Sequence, residues 1–412
     1  MREHELRRQV VSEMHLRRWP SLTVPGKVVQ WVLVTDPDER AAEAAHLDAV
    51  LPAPPENPNA AHRAGHFAPG ISVAWERHSE GSSLTLFANG ADPDLSEALA
   101  WAQDLPGRIV RASRLTLLKD DRAAQRLLPQ MHFATDEVVS CVIGGKARLW
   151  ADFRLQGDGF GHFLVAANGM DDLDFTRTVQ RLQELGNYRN KALLGLPMAQ
   201  EHWPRLDAIE SELAKLADRL CGSGQRDDEL MAELSSLSLE LTTVATIIGY
   251  RMSATQAYAQ LVQERLEELQ VIPIDGFASL NTFTKRRFQP AVRFCEALTV
   301  RVEQLSERAG RLGNLLRARI DTRIENQNAE LMRSMDRSSR LQLRLQQLVE
   351  GLSVVALSYY LLGLVEMALH GLPGVDGATV VAVLVVPTIF LVWLGIHLAK
   401  KRLLGVCESG VA

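Results

Sequence analysis

The sequence predicts an α/β N-terminal cytoplasmic domain, a long α-helical stalk and a C-terminal two-helix transmembrane hairpin. Three observations predict this fold class. Runs of β-branched and aromatic residues end near residue 170, apolar residues then recur at spacings of three and four, and two long apolar runs stand near the C-terminus. With 46% apolar residues among 412, the chain also has enough apolar surface for a buried core.

Composition excludes several classes of protein. The formal net charge of −5 argues against a nucleic-acid binder, because phosphate contacts require a basic surface. Four widely separated cysteines without a Cys-x-x-Cys pair indicate a reducing compartment, with neither a disulfide framework nor a structural zinc site. The charged start, MREHELRRQVVSEMHLRRWP, lacks the apolar core of a signal peptide, so none is expected.

Residues 1–170 form the predicted cytoplasmic α/β domain, with an antiparallel or mixed sheet. Two segments that open with Asp and Pro, 36–51 and 92–105, are predicted to be helices. The Pro-rich stretch 51–66 is predicted to be a surface loop, and the pair Gly144-Gly145 a hairpin turn. The predicted strands, all rich in β-branched or aromatic residues, are 27–35, 70–78, 82–88, 108–118, 137–144 and 146–153.

Residues 171–347 are predicted to form a long-helix bundle and stalk. One or two helices, punctuated near Pro197 and Pro204, precede another long helix over 227–269. From Pro290 onward an apolar stripe continues to the first apolar run without a further proline. A periodic run of this length is typical of coiled-coil or bundle packing, so we expect a stalk helix that leads directly into the membrane.

The C-terminal region is predicted to be a membrane hairpin. The first span, 348–369, carries Glu366 near its far end, and the second, 378–398, has no charge over 21 residues. Between them, 370–377 is a short outside loop without Lys or Arg, and 399–412 is a basic cytoplasmic tail. The basic residues that place both termini in the cytoplasm are Arg333, Arg337, Arg340, Arg344, Lys400, Lys401 and Arg402.

Five strings carry a resemblance over essentially the whole chain. They are REHELRRQVVSEMHLRRWP at the start, WERHSEGSSLTLF (75–87), NYRNKALLGLPMAQ (187–200), VIPIDGFASLNTFTKRRFQPAVRFCEAL (271–298) and SMDRSSRLQLRLQQLVEGLSVVALSYYLLGL (334–364). In these the chain resembles a bacterial family of uncharacterised membrane-anchored proteins, that of domain of unknown function 3422. The resemblance implies a topology and no chemistry. With the charge asymmetry, it implies a multi-pass protein of the bacterial inner (cytoplasmic) membrane.

The order of elements is also similar to that of CorA-type divalent-cation channels. Both have an α/β domain, a very long helix that becomes the first span, a short outside loop and a second span with a basic tail. This resemblance implies a pentamer around the first span, with a divalent cation as the candidate cargo. Those channels carry Gly-Met-Asn at the outer end of the first span, where this chain reads VEMALHGLPG, so no filter residue is carried over.

The chain lacks the common catalytic motifs: a P-loop, GxGxxG after a strand, GxSxG and HExxH. No enzymatic activity, catalytic residue or cofactor is therefore predicted. His62 and His66 have an i,i+4 spacing, but they stand in a predicted loop without clustered acids, so no metal site is predicted. Glu76 and His78 share one strand face, where an ion-pair lattice is favoured over acid–base chemistry. GDGFGH (157–162) is predicted to be a turn rather than a phosphate cradle.

The membrane region offers candidate sites of two kinds. Side chains of the first span are candidates for lining an axis if several copies surround it, and the carboxylate among them is either functional or snorkels to the interface. Basic residues near the membrane either pair with acids on neighbouring helices or contact anionic lipid headgroups. The candidate lining residues are Gly351, Ser358, Leu362 and Glu366, and the candidate headgroup contacts are Arg337, Arg340, Arg344, Lys400, Lys401 and Arg402.

Two functions from different classes remain open. The first is a non-enzymatic, membrane-anchored homo-oligomer with a large cytoplasmic sensor or scaffold body. The alternative is a CorA-like ion channel or transporter that lacks the Gly-Met-Asn filter. A long apolar stalk stripe favours association with other copies of the chain, and the number five comes only from the CorA-like resemblance. The predicted partners are membrane lipids and the chain itself.

Overall fold

The computed structural model describes residues 3–4, 7, 11, 19–53, 61–134, 137–222, 226–369 and 377–407. The chain divides into two compact units, Met1–Gly313 and Asn314–Ala412. Most of the N-terminal string, nearly all of the predicted outside loop 370–377 and the end of the predicted basic tail lie outside the described residues.

A nine-stranded mixed sheet forms the frame of the first unit. Its strands are Gly26–Val34 (β1), His62–Ala68 (β2), Ile71–His78 (β3), Gly81–Asn89 (β4), Arg108–Leu118 (β5), Val139–Ile143 (β6), Ala147–Leu155 (β7), Gly161–Ala166 (β8) and Ile272–Pro273 (β9). The strand order is β2-β3-β4-β1-β5-β8-β7-β6-β9, and neighbours are antiparallel except the parallel pair β5 and β8. The predicted N-terminal α/β sheet domain is therefore confirmed.

Helices cover both faces of this sheet and continue beyond it. The described helices are Arg40–Asp48 (α1), Ser96–Gln103 (α2), Asp121–Leu127 (α3), Asp172–Leu193 (α4), Gly195–Cys221 (α5), Asp227–Glu268 (α6), Leu280–Phe283 (α7), Gln289–Leu369 (α8) and Gly377–Cys407 (α9). A π-helical turn over Thr284–Phe288 joins α7 to α8. Asp171 caps the N-terminus of α4, because its side chain accepts a hydrogen bond from the backbone N–H of Leu173.

The alternation of side chains along the strands separates two buried layers. On one face, Val28 and Leu115 pack with α4 and α6 through Val179 and Val262. On the other face, Trp31, Trp75 and Leu84 pack with α1 and α2, and Trp150 packs with α3. Because its strands are covered on both faces, the centre of the sheet is largely buried, as in β1, where seven of nine residues are buried.

The β6–β7 hairpin turns at Gly144-Gly145, as the sequence predicts. Both glycines have positive φ, 58° at Gly144 and 87° at Gly145, a region that other residues adopt only with strain. A Cβ on Gly144 would lie 2.5 Å from Oγ1 of Thr178 on α4, whereas nothing lies within 4 Å of a Cβ on Gly145. The turn is thus both a hairpin and a close contact between sheet and helix.

The predicted loop 51–66 is wrong at its end, because His62–Ala68 forms the edge strand β2, and residues 54–60 lie outside the described residues. The turn predicted in GDGFGH is confirmed between β7 and β8, although β8 itself was not among the predicted strands. The helix break predicted near Pro197 and Pro204 lies at Leu194, three residues before Pro197, whereas Pro204 lies inside α5. Pro197 stands in the first turn of α5, where no helical N–H is required.

The second unit consists of the main part of α8 together with α9. α8 is continuous over 81 residues, or about 120 Å at 1.5 Å per residue. By length and composition, three helices of the described part of the chain are apolar enough to cross a membrane: Asp227–Glu268, Leu280–Ala368 and Thr379–Ala399. The two expected spans are among them, and α6, which packs in the first unit, was not expected.

Candidate functional site

The sheet face under α4 becomes polar where β1, β4 and β3 pass beneath the helix. Gln30 pairs with Thr85 in the strand register and Thr85 with Ala74, so these three residues form one row across the sheet. The next row places Ser83 beside Glu76. Gln30 Nε2 donates to Thr85 Oγ1 at 2.9 Å within the buried layer. Burying polar side chains in this layer lowers the stability of the fold unless each forms hydrogen bonds. Polar residues at core positions are typical of functional sites.

The facing helix, α4, presents a matching polar stripe. Gln180, Glu184, Asn187 and Lys191 follow one another at spacings of four, three and four, which place them on one helix face. The apolar residues of α4, such as Val179, lie in the core cluster beside this stripe. Two polar surfaces, one from the sheet and one from the helix, therefore face each other inside the first unit.

Between these two surfaces lies a cavity of about 60 Å³, here called the Lys191 cavity. Its walls are side chains of β1, β3, β4 and α4, and Trp19 and the edge-strand residue His62 complete the lining. A water molecule needs roughly 10–15 Å³ of such space, so the cavity holds about five water-sized groups. A small polar molecule fits this volume.

Lys191 brings a buried amine to this cavity, with only 2% of the residue exposed. Its Nζ lies 5.5 Å from the ring centroid of Tyr258 on α6. No carboxylate of the described residues forms an ion pair with this amine. Burial lowers the pKa of Lys191 to about 8, and the negative charges of Glu80 and Glu76 limit the shift. At pH 7 most of the amine is therefore still protonated, and the neutral minority is larger than for an exposed lysine.

Two acids close to the cavity are paired with arginines of α6. Glu80, in the turn between β3 and β4, accepts hydrogen bonds from both terminal nitrogens of Arg251, the longer one at 3.3 Å. Glu184 forms an ion pair with Arg265, whose Nε lies 2.7 Å from Oε2. Burial raises the pKa of Glu184, although Arg265 opposes the shift. Burial and the neighbouring Glu184 raise the pKa of Tyr188 to about 12, so its hydroxyl remains a hydrogen-bond donor.

Glu76 and His78, the two residues weighed for acid–base chemistry, both line the cavity. His78 Nε2 lies 3.1 Å from Ser83 Oγ on the adjacent strand. Trp75, one position away, faces the opposite layer and donates Nε1 to Glu43 at 3.1 Å. The expected alternation of this strand is thus confirmed, and it brings Glu76 and His78 together under α4.

The two other histidines of the sequence analysis have separate environments. His62 lines the cavity from β2, whereas His66 Nδ1 lies 3.2 Å from Ser72 Oγ on β3. In the part of the chain that the structure describes, no cluster of three His, Cys, Asp or Glu side chains is placed to hold a metal ion. The described residues thus offer the cavity hydrogen-bonding and titratable groups rather than a set of metal ligands.

Arg111 lies next to the cavity and is held by amides. Its Nη1 donates to Asn187 Oδ1 at 2.8 Å and to Gln30 Oε1 at 3.2 Å, and its Nη2 donates to Gln183 Oε1 at 2.6 Å. Burial lowers the pKa of Arg111 to about 9. A Cβ on Gly186 would lie 2.7 Å from Nη2, so this glycine makes room for the guanidinium. Because Gln30 and Asn187 also line the cavity, a second buried cation lies one hydrogen bond behind its wall.

The predicted lining residues of the first span lie on α8 in the second unit. Ser358 is buried, and its hydroxyl donates to the carbonyl of Val354 at 2.7 Å, a local bond within the helix. Gly351 and Glu366 are exposed and Leu362 is half-buried. Their role in lining an axis stays a prediction.

The predicted headgroup contacts also lie in the second unit. Arg340 pairs with Asp336 one turn earlier at 2.9 Å, and both side chains are largely exposed. Arg337 and Arg344 are exposed as well. Lys400, Lys401 and Arg402 stand on the helical backbone of α9, and their side chains lie outside the described residues.

Lys191 and Glu184 were not predicted as site residues. A signal for them exists in the sequence, because Gln180, Glu184, Asn187 and Lys191 form a polar stripe on a helix that also has an apolar face. A helix exposed to solvent on one side has the same pattern, and only the covering sheet makes the stripe unusual. An amine, carboxyl groups and hydroxyls around a small buried cavity suit the binding of a polar molecule and proton exchange with it.

The fold and the cavity define a mixed α/β protein with a buried polar site and a long helix that leads into apolar C-terminal segments. The chain matches the model of the family described as "Protein of unknown function (DUF3422)" over residues 2–403 and belongs to that family. The resemblance noted from the sequence strings is therefore confirmed at the level of the family. No curated protein and no solved structure matches the chain.

Proposed function

We propose that the protein is a membrane-anchored sensor that binds a small polar molecule in the Lys191 cavity, without turnover. The observation that carries this proposal is the buried amine of Lys191 between two polar surfaces, which forms no ion pair with any residue that the structure describes. Holding an ammonium group out of water without a carboxylate partner destabilises the folded chain. A buried amine kept at this cost is explained by a ligand that binds to it, because binding sites commonly reduce stability.

A packed path from the cavity to α8 supports the sensor role. Tyr258, whose ring lies beside Lys191, belongs to the same buried cluster as Phe288 and Val292 at the start of α8. Arg301, farther along α8, pairs with Asp207 on α5 at 2.6 Å. A ligand that shifts Tyr258 is therefore expected to change the packing of α8 within the first unit, and α8 continues without a break to Leu369.

The proposed anchor is the end of α8 together with α9, inserted as a hairpin in the inner membrane. Apolar windows with mean hydropathies of 1.8 and 2.5 support this choice. The most apolar window of α6 has a mean hydropathy of only 1.2, and its buried residues, such as Val244 and Ile248, pack inside the first unit. We therefore assign α6 to the cytoplasmic body. The Lys and Arg residues on either side of the hairpin favour cytoplasmic termini and contact with anionic headgroups.

We also propose that the anchored protein is a homo-oligomer, because the apolar stripe of α8 is exposed in the second unit. Leu341 and Leu345 are 56% and 62% exposed, one turn apart. Replacing both with Asp is expected to dissociate the assembly in detergent, as measured by light scattering, with Arg337→Asp as the control for added negative charge. A wild-type chain that is monomeric in several detergents contradicts this part of the proposal.

The binding role is tested by thermal unfolding of the full chain in detergent against small polar metabolites of up to about six non-hydrogen atoms. A ligand at a concentration of a hundred times its dissociation constant raises the free energy of unfolding by about 2.7 kcal/mol. In a protein of this size, this raises the melting temperature by about 5 °C. We expect wild type and Lys215→Met to shift, and Lys191→Met and Glu76→Gln not to shift. Lys215 is a suitable control because its side chain is 63% exposed on α5. A shift that persists in both cavity variants, or no shift with any compound, contradicts the proposal.

A second candidate function is an ion channel with a CorA-like arrangement but a different filter. The observation that favours it is Glu366, an exposed carboxylate on the apolar part of α8. Ion flux through liposomes that contain the purified chain distinguishes the two functions. Flux that is lost in Glu366→Gln supports the channel, and liposomes that remain tight to monovalent and divalent cations support the sensor.

A further inference from the structure

The amine of Lys191 combines three properties that suit covalent capture of a carbonyl compound. The Lys191 side chain lines a cavity large enough for a molecule of about five non-hydrogen atoms. The residue is buried, and no carboxylate of the described chain forms an ion pair with it, so the neutral amine is more accessible than that of an exposed lysine. Carboxyl groups of Glu76 and Glu184 line the same cavity and can exchange protons with a bound molecule. Desolvated lysines of this kind are the usual nucleophiles of imine chemistry.

We propose that Lys191 forms a reversible imine with a small, neutral, hydroxylated aldehyde or ketone, and that this imine is the bound state of the sensor. The inference rests on the proposed ligand-binding function and names the chemical class of its ligand. It requires no oxidant, reductant or cofactor.

The reaction balances with water as the only other product. The lone pair of the neutral Nζ attacks the carbonyl carbon, and the π electrons of the carbonyl move to its oxygen. One proton passes from the nitrogen to this oxygen, which gives a carbinolamine. A carboxyl group of the cavity then protonates the hydroxyl, which departs as water with the C–O electron pair while the nitrogen lone pair forms the C=N bond. The N–H proton of the resulting iminium returns to the carboxylate, which leaves the neutral imine. Water reverses the sequence by hydrolysis, so occupancy follows the ligand concentration.

The charge of the cavity favours a neutral ligand over an oxo acid. Glu76 and Glu184 both contribute carboxyl groups to the lining, and imine formation removes the positive charge that Lys191 could offer to a ligand carboxylate. The amide of Asn187 and the hydroxyl of Thr85 also line the wall. These uncharged groups can form hydrogen bonds with the hydroxyl groups of a small hydroxy-aldehyde.

The experiment traps the imine in the full wild-type chain in detergent, with glycolaldehyde as the probe and cyanoborohydride as the reductant. Hydride addition converts the imine into a stable hydroxyethyl-lysine, which peptide mass spectrometry locates along the chain. Lys215, exposed on α5, is the reference within the same molecules. We expect label at Lys191 to saturate at an at least tenfold lower probe concentration than label at Lys215. Glyoxylate, the matching oxo acid, is expected to label Lys191 less than glycolaldehyde.

Equal labelling of Lys191 and Lys215, or preferential labelling of Lys191 by glyoxylate, overturns the inference. Failure of the inference is distinguishable from failure of the proposed function. A compound that stabilises wild type but not Lys191→Met, and that no reductant traps on Lys191, overturns the imine and leaves the binding function standing. If no compound gives either stabilisation or trapping, both are overturned.

Discussion

Replacing Lys191 with Met is expected to make the folded chain more stable at neutral pH. Burial holds the pKa of this amine at about 8 instead of the ordinary 10.5. Each pKa unit corresponds to about 1.4 kcal/mol, so keeping the ammonium folded below pH 8 costs about 3 kcal/mol. Met fills a similar volume without a charge, and removal of this cost corresponds to an increase of roughly 5 °C in melting temperature.

The sign of the pH dependence makes this prediction specific. Between about pH 8 and 10.5 the unfolded chain holds the lysine proton that the folded chain has released. The stability of wild type relative to Lys191→Met should therefore rise with pH across this window, until the difference disappears. Urea unfolding of the full chain in detergent at several pH values, with Lys215→Met as the control, measures the effect. A variant that is less stable than wild type at pH 7, or a difference independent of pH, refutes the reasoning.

Three further predictions concern the frame of the site and its anchor. Arg251→Met removes the ion-pair partner of the buried Glu80 and should lower the free energy of unfolding by about 3 kcal/mol. The double variant with Glu80→Gln should recover part of this loss, and a denaturation midpoint of Arg251→Met equal to that of wild type contradicts the prediction. Gly144→Ala should destabilise by about 2 kcal/mol more than Gly145→Ala, because only at Gly144 does a Cβ meet α4; equal losses in thermal unfolding contradict it. A reporter fused after Ala412 should report the cytoplasm, and a periplasmic signal contradicts the proposed topology.

Much of the sheet could be predicted from local composition. β1 and β3 to β7 are rich in Val, Ile, Leu and aromatic residues, and this composition reflects packing on both faces. β2 could not be predicted from composition, because HRAGHFA has no β-branched residue. The strand lies at the edge of the sheet, where it pairs with β3 alone and is less buried than the central strands. β8 was hidden by the glycine at its start.

The candidate site could be predicted only in part. Glu76 and His78 stand out because charged and aromatic residues crowd the end of a strand, whose alternation puts these two on one face. Lys191 comes more than a hundred residues later, and only the packing of α4 on β1, β4 and β3 brings it to the same cavity. Its unusual pKa arises from the burial that this packing produces. Sequence periodicity predicts which residues share a face of a helix or strand, but it does not predict which helix face packs on which strand face.

The most direct test of the account is a calorimetric titration of the compound that gives the largest thermal shift. It is titrated into wild type, Lys191→Met and Lys215→Met, each as the full chain in detergent. We expect Lys191→Met to lose at least tenfold in affinity, about 1.4 kcal/mol, and Lys215→Met to bind as wild type does. Equal affinities of wild type and Lys191→Met would contradict the assignment of the Lys191 cavity as the ligand site.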